Sequence, residues 1–405
     1  MSGAVIVGGG QAAATLSSQL RTSGYRGPVT IFCDEPHPPY QRPPLSKAYL
    51  LGEMEREQLF LKPLSYYAGE GIDLRLGTRI DAIDRAARRV RFGKETLNYD
   101  HLVLATGATP RRLPETIGGG LAGVQTVRTL ADIDSLEPRM MPGRRVVVVG
   151  GGYIGLEAAA VARKIGLDVT LIEASPRILQ RVASPETATC IRDLHKSHGV
   201  RILEGMSLER LLHKDGHVSG VLLFNGDILA ADLVIVGIGV TPEACLAEAA
   251  GLTIDNGIAV DEFGRTSDPS IWAAGDCASF PTEQGRIRLE SVGNAIDQAK
   301  CVATNIAGTP TRYVPKPWFW SDQYDLKMQI AGLNSGYERV VVRDEGMNGS
   351  SIWYYSGDRL LAVDALNNAR AFVAGRRIIE SGKTVPPELV QDTGLDMKTL
   401  VAHAV

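Results

Sequence analysis

Two stretches of the sequence combine glycines and an acidic residue at spacings suited to holding a dinucleotide. Gly8, Gly10 and Ala13 follow the apolar run Ala4-Val-Ile-Val7 in the pattern G-x-G-x-x-G/A. In such a turn the first glycine makes a tight bend and the second lets the backbone approach a pyrophosphate. The third small residue lets a helix pack on the strand, so that the helix N-terminus faces the phosphates. The next apolar strand, Val29 to Cys33, ends in Asp34 and Glu35, whose carboxylates can accept hydrogen bonds from ribose hydroxyls. The same order recurs downstream, where Val146 to Val149 leads into Gly150-Gly-Gly152-Tyr-Ile-Gly155, a helix pattern runs through Ala162, and the strand Val169 to Ile172 ends in Glu173. A lone glycine fingerprint is weak, but two copies, each with strand, helix and acid in register, are strong. A carboxylate at Glu173 hydrogen-bonds the 2′-hydroxyl of NAD and repels the 2′-phosphate of NADP, which favours NADH. Arg177 and Arg181 lie just beyond, either blurring that preference or lining a solvated helix face.

These turns must be carried by parallel sheets, which places the chain in the α/β class, with two Rossmann-like dinucleotide-binding domains and a small α+β C-terminal domain. The strand-like run His101 to Ala105 breaks at Thr106-Gly107-Ala108-Thr109-Pro110. Its near echo is Leu233 to Val236, followed by Gly237-Ile-Gly239-Val-Thr-Pro242. Both breaks suit a chain crossing from one domain into another inserted within it. The expected division is residues 1–113 with 241–319 for the first nucleotide, 114–240 for the second, and 320–405 as a C-terminal interface domain. Ser270 to Ala274 runs into Gly275-Asp276, placing a carboxylate at the carboxyl end of a buried strand, where ligands of open α/β sheets bind, or where a turn aspartate caps the next helix.

With 405 residues, 44% of them hydrophobic, the chain can bury more than one core. A formal charge of -3 speaks against bulk attraction to nucleic acid or to an anionic membrane. The most apolar stretch, Val146 to Ala162, is interrupted by Glu157 and by glycines, which suits a buried strand-turn-helix better than a membrane span. The five cysteines are scattered without a C-x-x-C pair, so reduced thiols and a cytoplasmic location are expected. No metal site is expected, since His195 and His198, the only close histidine pair, have no accompanying ligand motif.

The order of these pieces resembles the two-dinucleotide flavoproteins related to glutathione reductase: a fingerprint at the N-terminus, Ala-Thr-Gly near residue 106, a second fingerprint near 150 and Ala-Ala-Gly-Asp near 275. Within that superfamily, three segments are similar to the FAD-dependent ferredoxin reductases of oxygenase and cytochrome P450 systems, the putidaredoxin reductase-like branch. They are Arg42-Pro-Pro-Leu-Ser-Lys47-Ala-Tyr-Leu50, Glu290 to Ala299 and Trp318-Phe-Trp320-Ser-Asp-Gln323. The resemblance implies FAD and NADH as cofactors. It implies contacts from Gly8, Gly10, Ala12, Ala13, Asp34, Glu35, Lys47, Ile80, Arg128, Asp276, Val292 and Trp320, and, on the NADH side, from Gly150, Gly152, Gly155, Glu173 and Gly239. Lys47 would lie near the flavin ring, where a cation favours the anionic reduced flavin. Glu157 and Glu290 resemble carboxylates beside nicotinamide and flavin, or are satisfied helix residues. Trp320 resembles an aromatic flanking the flavin pocket, or packs between domains.

The sequence departs from glutathione reductase in its sulfur. Disulfide reductases of this kind carry C-x-x-x-x-C shortly after the first nucleotide turn to relay electron pairs, and residues 38–50 contain no cysteine. The resemblance therefore implies hydride transfer from NADH to FAD, then delivery of single electrons directly to a [2Fe–2S] ferredoxin serving a cytochrome P450 or dioxygenase. A ferredoxin of this kind is usually acidic, and Lys300, Arg312, Lys316 and Lys327 are candidates for a basic docking face. Lys300 resembles a family docking position. Alternatives on the same scaffold are an NADH oxidase, a rubredoxin reductase or a non-catalytic redox sensor. The oligomeric expectation is a monomer or a homodimer.

Overall fold

The computed structural model describes residues 2–283 and 285–405. Contacts divide the chain into two compact units, one of residues 1–42, 55–109 and 240–317, the other of residues 43–54, 110–239 and 318–405.

The first unit is built on a five-stranded sheet in the order Ile271–Ala273, His101–Leu104, Ala4–Val7, Val29–Phe32, Ile72–Arg75. All of its pairings are parallel. The central strand Ala4–Val7 is apolar and fully buried because both of its faces are covered. Ala4 and Ile6 point into one core with Leu16, Leu20, Ala299, Val302 and Ile306. Val5 and Val7 point the other way, towards Phe32, Leu102, Ile258 and Phe280, as the two-residue period of a strand requires. The helices Gln11–Thr22 and Val292–Ile306 pack together on the first face. Small residues at Ala12, Ala13, Ala295 and Ala299 are buried where they meet.

The second unit carries its own parallel sheet, ordered Arg201–Glu204, Asp168–Glu173, Arg145–Val149, Leu233–Val236, Val124–Gln125. The helix Tyr153–Ile165 follows the central strand. It starts at Gly152 and ends at Gly166, whose φ of 101° is the left-handed cap. A second helix, Pro185–Ser197, is started by Ser184, whose side chain accepts from the Thr187 amide, with proline at the first helical position. Residues 318–366 form a five-stranded antiparallel sheet in the order Trp318–Gln323, Leu326–Gly332, Arg359–Leu366, Ser350–Ser356, Arg339–Asp344. The helix Ala369–Glu380 lays Phe372 and Ile378 against Trp353, Tyr355 and Val363 of that sheet. No helix among the described residues is long and apolar enough to cross a membrane.

Candidate functional site

The first glycine turn is shaped by its own backbone. Gly8 has φ 129°, and a Cβ there would lie 2.1 Å from the Ala105 carbonyl oxygen, so the turn is pressed against the end of the strand His101–Leu104. Gly10 is different: it starts the helix Gln11–Thr22 in an extended conformation with no side-chain cap, and a Cβ there would meet nothing within 4 Å. The turn therefore holds its shape through Gly8 and keeps open space beside Gly10, at the positive end of the helix. Two further segments converge on it. A Cβ on Gly275 would sit 3.2 Å from the Ala12 methyl and 3.8 Å from that of Ala295, and the Gly275 N–H donates to Gln298 at 2.8 Å. Asp276 follows directly, at the carboxyl end of Ile271–Ala273, and Val292 opens the helix that Ser291 caps. This cradle fits the pyrophosphate of a dinucleotide.

Two acidic residues follow the second strand, and the structure gives them different company. Asp34 is exposed at the strand end. Glu35 accepts from the Tyr40 hydroxyl at 2.6 Å and pairs with Arg42 at 2.8 Å, so its two oxygens are held by neighbouring side chains. Ile80 is buried in the core beneath.

The second turn repeats the design. Gly150 has φ 106°, and its Cβ would lie 2.5 Å from the Gly237 carbonyl oxygen; at Gly155 a Cβ would lie 2.0 Å from the Gly150 oxygen. Gly152, starting its helix, again has nothing within 4 Å. Glu173 is tied into this turn, because Oε2 accepts from the Gly151 N–H at 2.6 Å and Oε1 from the Ser175 N–H at 2.7 Å. The carboxylate is thus aimed by the backbone beside the open helix end. Gly239, with φ 95°, lies near Arg181, whose Nη2 is 3.6 Å from the position of a Gly239 Cβ. Arg177 is turned away onto the carbonyl oxygens of Ile178, Gln180 and Ala183.

Lys47 and Glu157 form an ion pair of 2.8 Å in the second unit, with side chains 18% and 5% exposed. Glu157 stands one helical turn into Tyr153–Ile165, which carries it just past the glycine turn. Taking a carboxylate out of water is costly unless it is paired and hydrogen-bonded, and here Ser46 donates to Oε2 at 2.9 Å and Ser321 to Oε1 at 2.7 Å. The proline-flanked turn Pro43–Ser46 delivers both Ser46 and Lys47. Nearby, Phe319 lies 4.9 Å from Tyr153, and Trp320 stacks on Trp318 at 5.4 Å. The Tyr153 hydroxyl is buried without a hydrogen-bond partner among the described residues.

The remaining expected residues lie elsewhere. Glu290, its side chain 43% exposed, pairs with Arg288 at 2.6 Å. The Arg128 N–H donates to Asp132 at the start of Leu130–Leu136. Lys300 is exposed on the helix Val292–Ile306, and Arg312, Lys316 and Lys327 are exposed too. His195 and His198 have separate partners: Nε2 of His195 lies 2.7 Å from Gln323 Oε1, and His198 stacks on Tyr324 with ring centres 3.7 Å apart. Among the described residues no group of histidine, cysteine and carboxylate side chains is placed to hold a metal. All five cysteines are free, with Cys190 and Cys245 exposed and Cys33, Cys277 and Cys301 buried. Burial pushes the Cys33 thiol up to about 12, which suppresses the thiolate that dithiol chemistry needs.

Ser46, Ser321, Gln323 and His195 were not singled out as site residues from sequence. The signal for two of them was present: Ser321 and Gln323 alternate along the segment that begins at Trp318, and alternate strand residues share a face.

Comparison with known proteins places this geometry in a lineage. The pyridine nucleotide-disulphide oxidoreductase pattern matches residues 3–299, and a reductase C-terminal pattern matches residues 318–401. The chain is 44% identical over 403 residues to rhodocoxin reductase of Rhodococcus erythropolis, covering 98% of this chain and 94% of that protein. It is 40% identical to putidaredoxin reductase of Pseudomonas putida, covering 99% and 97%. It superposes on the reductase in the crystal structure of a covalent putidaredoxin reductase–putidaredoxin complex with a TM-score of 0.96 and 40% identity, covering 100% of this chain and 99% of that one.

Proposed function

We propose, for a chain that belongs to the pyridine nucleotide-disulphide oxidoreductase family, that it takes hydride from NADH and passes electrons singly to a [2Fe–2S] ferredoxin serving an oxygenase. The protein is an oxidoreductase, and its family uses FAD and NAD(P)H. The observation that carries the ferredoxin reading is the segment where disulfide reductases keep their dithiol. Here it has no cysteine and supplies Lys47, paired with a buried Glu157. Without a sulfur relay in that segment, bound FAD would have to pass its electrons on directly.

Bound FAD supplies a hydride acceptor that can release its electrons one at a time. The protein's own residues bind and orient. The Gly8–Ala13 turn, with Ala12 and Gly275 against it, receives the FAD pyrophosphate at a helix N-terminus, and Asp34 and Asp276 accept from hydroxyls. The Gly150–Gly155 turn receives the NADH pyrophosphate, and Glu173, held by two backbone N–H groups, accepts from the adenosine ribose 2′-hydroxyl. Lys47 and Glu157 present a matched pair of charges beside that turn, where the nicotinamide is expected. Position is the main contribution, since near-attack geometry lowers a barrier by up to roughly 7 to 11 kcal/mol.

A ferredoxin partner is supported by the relatives named for redoxin reduction. Lys300 is proposed to lie on its docking face. A cytoplasmic location accords with the free cysteines. The test is steady-state cytochrome c reduction by NADH with and without candidate [2Fe–2S] ferredoxins, with NADPH in parallel. Turnover that requires both NADH and a ferredoxin supports the reading, and turnover indifferent to ferredoxin refutes it. For docking, Lys300→Glu is expected to slow ferredoxin reduction at low salt and to match the wild type at high salt; an unchanged low-salt rate removes Lys300 from the face.

A further inference from the structure

The Lys47–Glu157 pair continues into a file of side chains within the second unit. Ser321 Oγ lies 2.7 Å from Glu157 Oε1, Gln323 Nε2 lies 3.1 Å from Ser321 Oγ, and His195 Nε2 lies 2.7 Å from Gln323 Oε1. Every member is buried: Ser321 and His195 are 0% exposed, Gln323 1% and Glu157 4%. Two elements place them. Ser321 and Gln323 share one face of the strand Trp318–Gln323, and His195 stands on the helix Pro185–Ser197.

The chemistry of one end fixes the direction of the whole file. A carboxylate paired with a lysine has no proton to give, so the Ser321 hydroxyl donates to Glu157. The Ser321 oxygen then accepts from the only amide atom of Gln323 that carries protons. That turns the Gln323 carbonyl oxygen towards His195, whose ring must present an N–H at Nε2. The ring is neutral, because burial pushes its pKa down to about 4, so Nδ1 is bare; it has no partner among the described residues. Three donors in series therefore point at Glu157 from one side, and Lys47 and Ser46 meet it from the other. In a dry site, hydrogen bonds in series polarise and strengthen one another.

We propose that Ser321, Gln323 and His195 are positioning residues that hold the Glu157 carboxylate in one orientation against Lys47. This rests on the reading of Glu157 as a group beside the nicotinamide. The file acts through Glu157, to which Ser321 donates. Tyr153, on the same helix, also senses the Glu157 charge, and burial holds its hydroxyl protonated.

The experiment uses the FAD-loaded protein with 15N-labelled histidine rings, the His195 signals being assigned with His195→Gln. The wild type is expected to show His195 as the single Nε2–H tautomer at neutral pH. In Ser321→Ala the Gln323 amide loses the partner that orients it, so the His195 tautomers become mixed. Flavin reduction by NADH is expected to slow by about tenfold or more, the usual loss when a hydrogen bond to a charged group is removed. Ser321→Thr, which keeps the hydroxyl, restores both signatures. An Nδ1–H tautomer in the wild type overturns the proposal. So does a wild-type tautomer or rate in Ser321→Ala while Glu157→Gln is slow. An unchanged rate in Glu157→Gln removes the premise itself, and the proposal falls with it.

Discussion

Gly8→Ala and Gly10→Ala change neighbouring members of one motif and are expected to fail in opposite ways. At Gly8 the backbone has φ 129° and an added Cβ lies 2.1 Å from the Ala105 carbonyl oxygen. The left-handed conformation alone costs an alanine about 1 to 3 kcal/mol, before the end of the strand His101–Leu104 shifts to relieve the overlap. At Gly10 φ is -108° and ψ is -165°, which alanine adopts freely, and no heavy atom lies within 4 Å of the added Cβ. The Gly10→Ala apoprotein is therefore expected to match the wild type within about 0.5 kcal/mol. Its methyl group, however, stands in the space that a pyrophosphate needs, so FAD affinity should fall more than tenfold, about 1.4 kcal/mol or more. Equilibrium denaturation of each apoprotein, followed by titration with FAD monitored by flavin fluorescence, separates the two effects. FAD bound as tightly by Gly10→Ala as by the wild type refutes the assignment of the open turn. A Gly8→Ala apoprotein that melts like the wild type refutes the argument from backbone contact. The second turn repeats the contrast for NADH, with Gly150 in the role of Gly8 and Gly152 in that of Gly10.

Glu173→Gln removes the charge that repels a 2′-phosphate and weakens an acceptor held by Gly151 and Ser175. The ratio of kcat/KM for NADH over NADPH is expected to fall by about tenfold or more. Lys47→Met leaves Glu157 buried without its counter-charge and should cost about 3 to 5 kcal/mol in a denaturant melt; Lys47→Met/Glu157→Gln should recover much of that loss. Asp364 gives a pH-dependent prediction. Burial pushes its carboxyl up to about 6, against the Tyr354 and Thr187 hydroxyls that donate to it and pull it down. A folded value above the unfolded one stabilises the protein below the unfolded value, and that contribution is lost as pH rises through about 6. The charged form therefore costs about 3 kcal/mol at neutral pH. Asp364→Asn should be more stable than the wild type by that order in melts at pH about 7 and show no such gain near pH 4; equal melts at pH about 7 refute this.

Much of the scaffold could be read from local pattern. The runs Ala4–Val7 and Val146–Val149 announced buried parallel strands because both faces of each sheet are covered, and the glycine spacing placed the helices that follow. Element ends were less legible. The second strand stops at Phe32 rather than Cys33, and the helix after Gly152 runs to Ile165 instead of Ala162, since its end is set by the left-handed Gly166 and not by the apolar pattern. The order of the antiparallel sheet of residues 318–366 was not legible, because it is fixed by pairings between segments far apart in sequence. In the site, Lys47 and Glu157 were visible one by one as an unusual lysine among prolines and a carboxylate in an apolar helix. That they form a pair, and that Ser46 and Ser321 complete it, depends on three segments 111 and 164 residues apart, which no local period encodes. Glu35 shows the same limit: its position at a strand end was legible, while the contacts of Tyr40 and Arg42, five and seven residues on, with its two oxygens were not.

The central claim is that electrons pass from NADH through bound FAD to an iron–sulfur protein without help from sulfur in this chain. The direct measurement is NADH-driven reduction of a [2Fe–2S] ferredoxin by the FAD-loaded protein, after reduction with NADH and exhaustive thiol alkylation. The account predicts the rate of the untreated protein, with two ferredoxins reduced for each NADH consumed. Loss of turnover on alkylation, with FAD still bound, would contradict it.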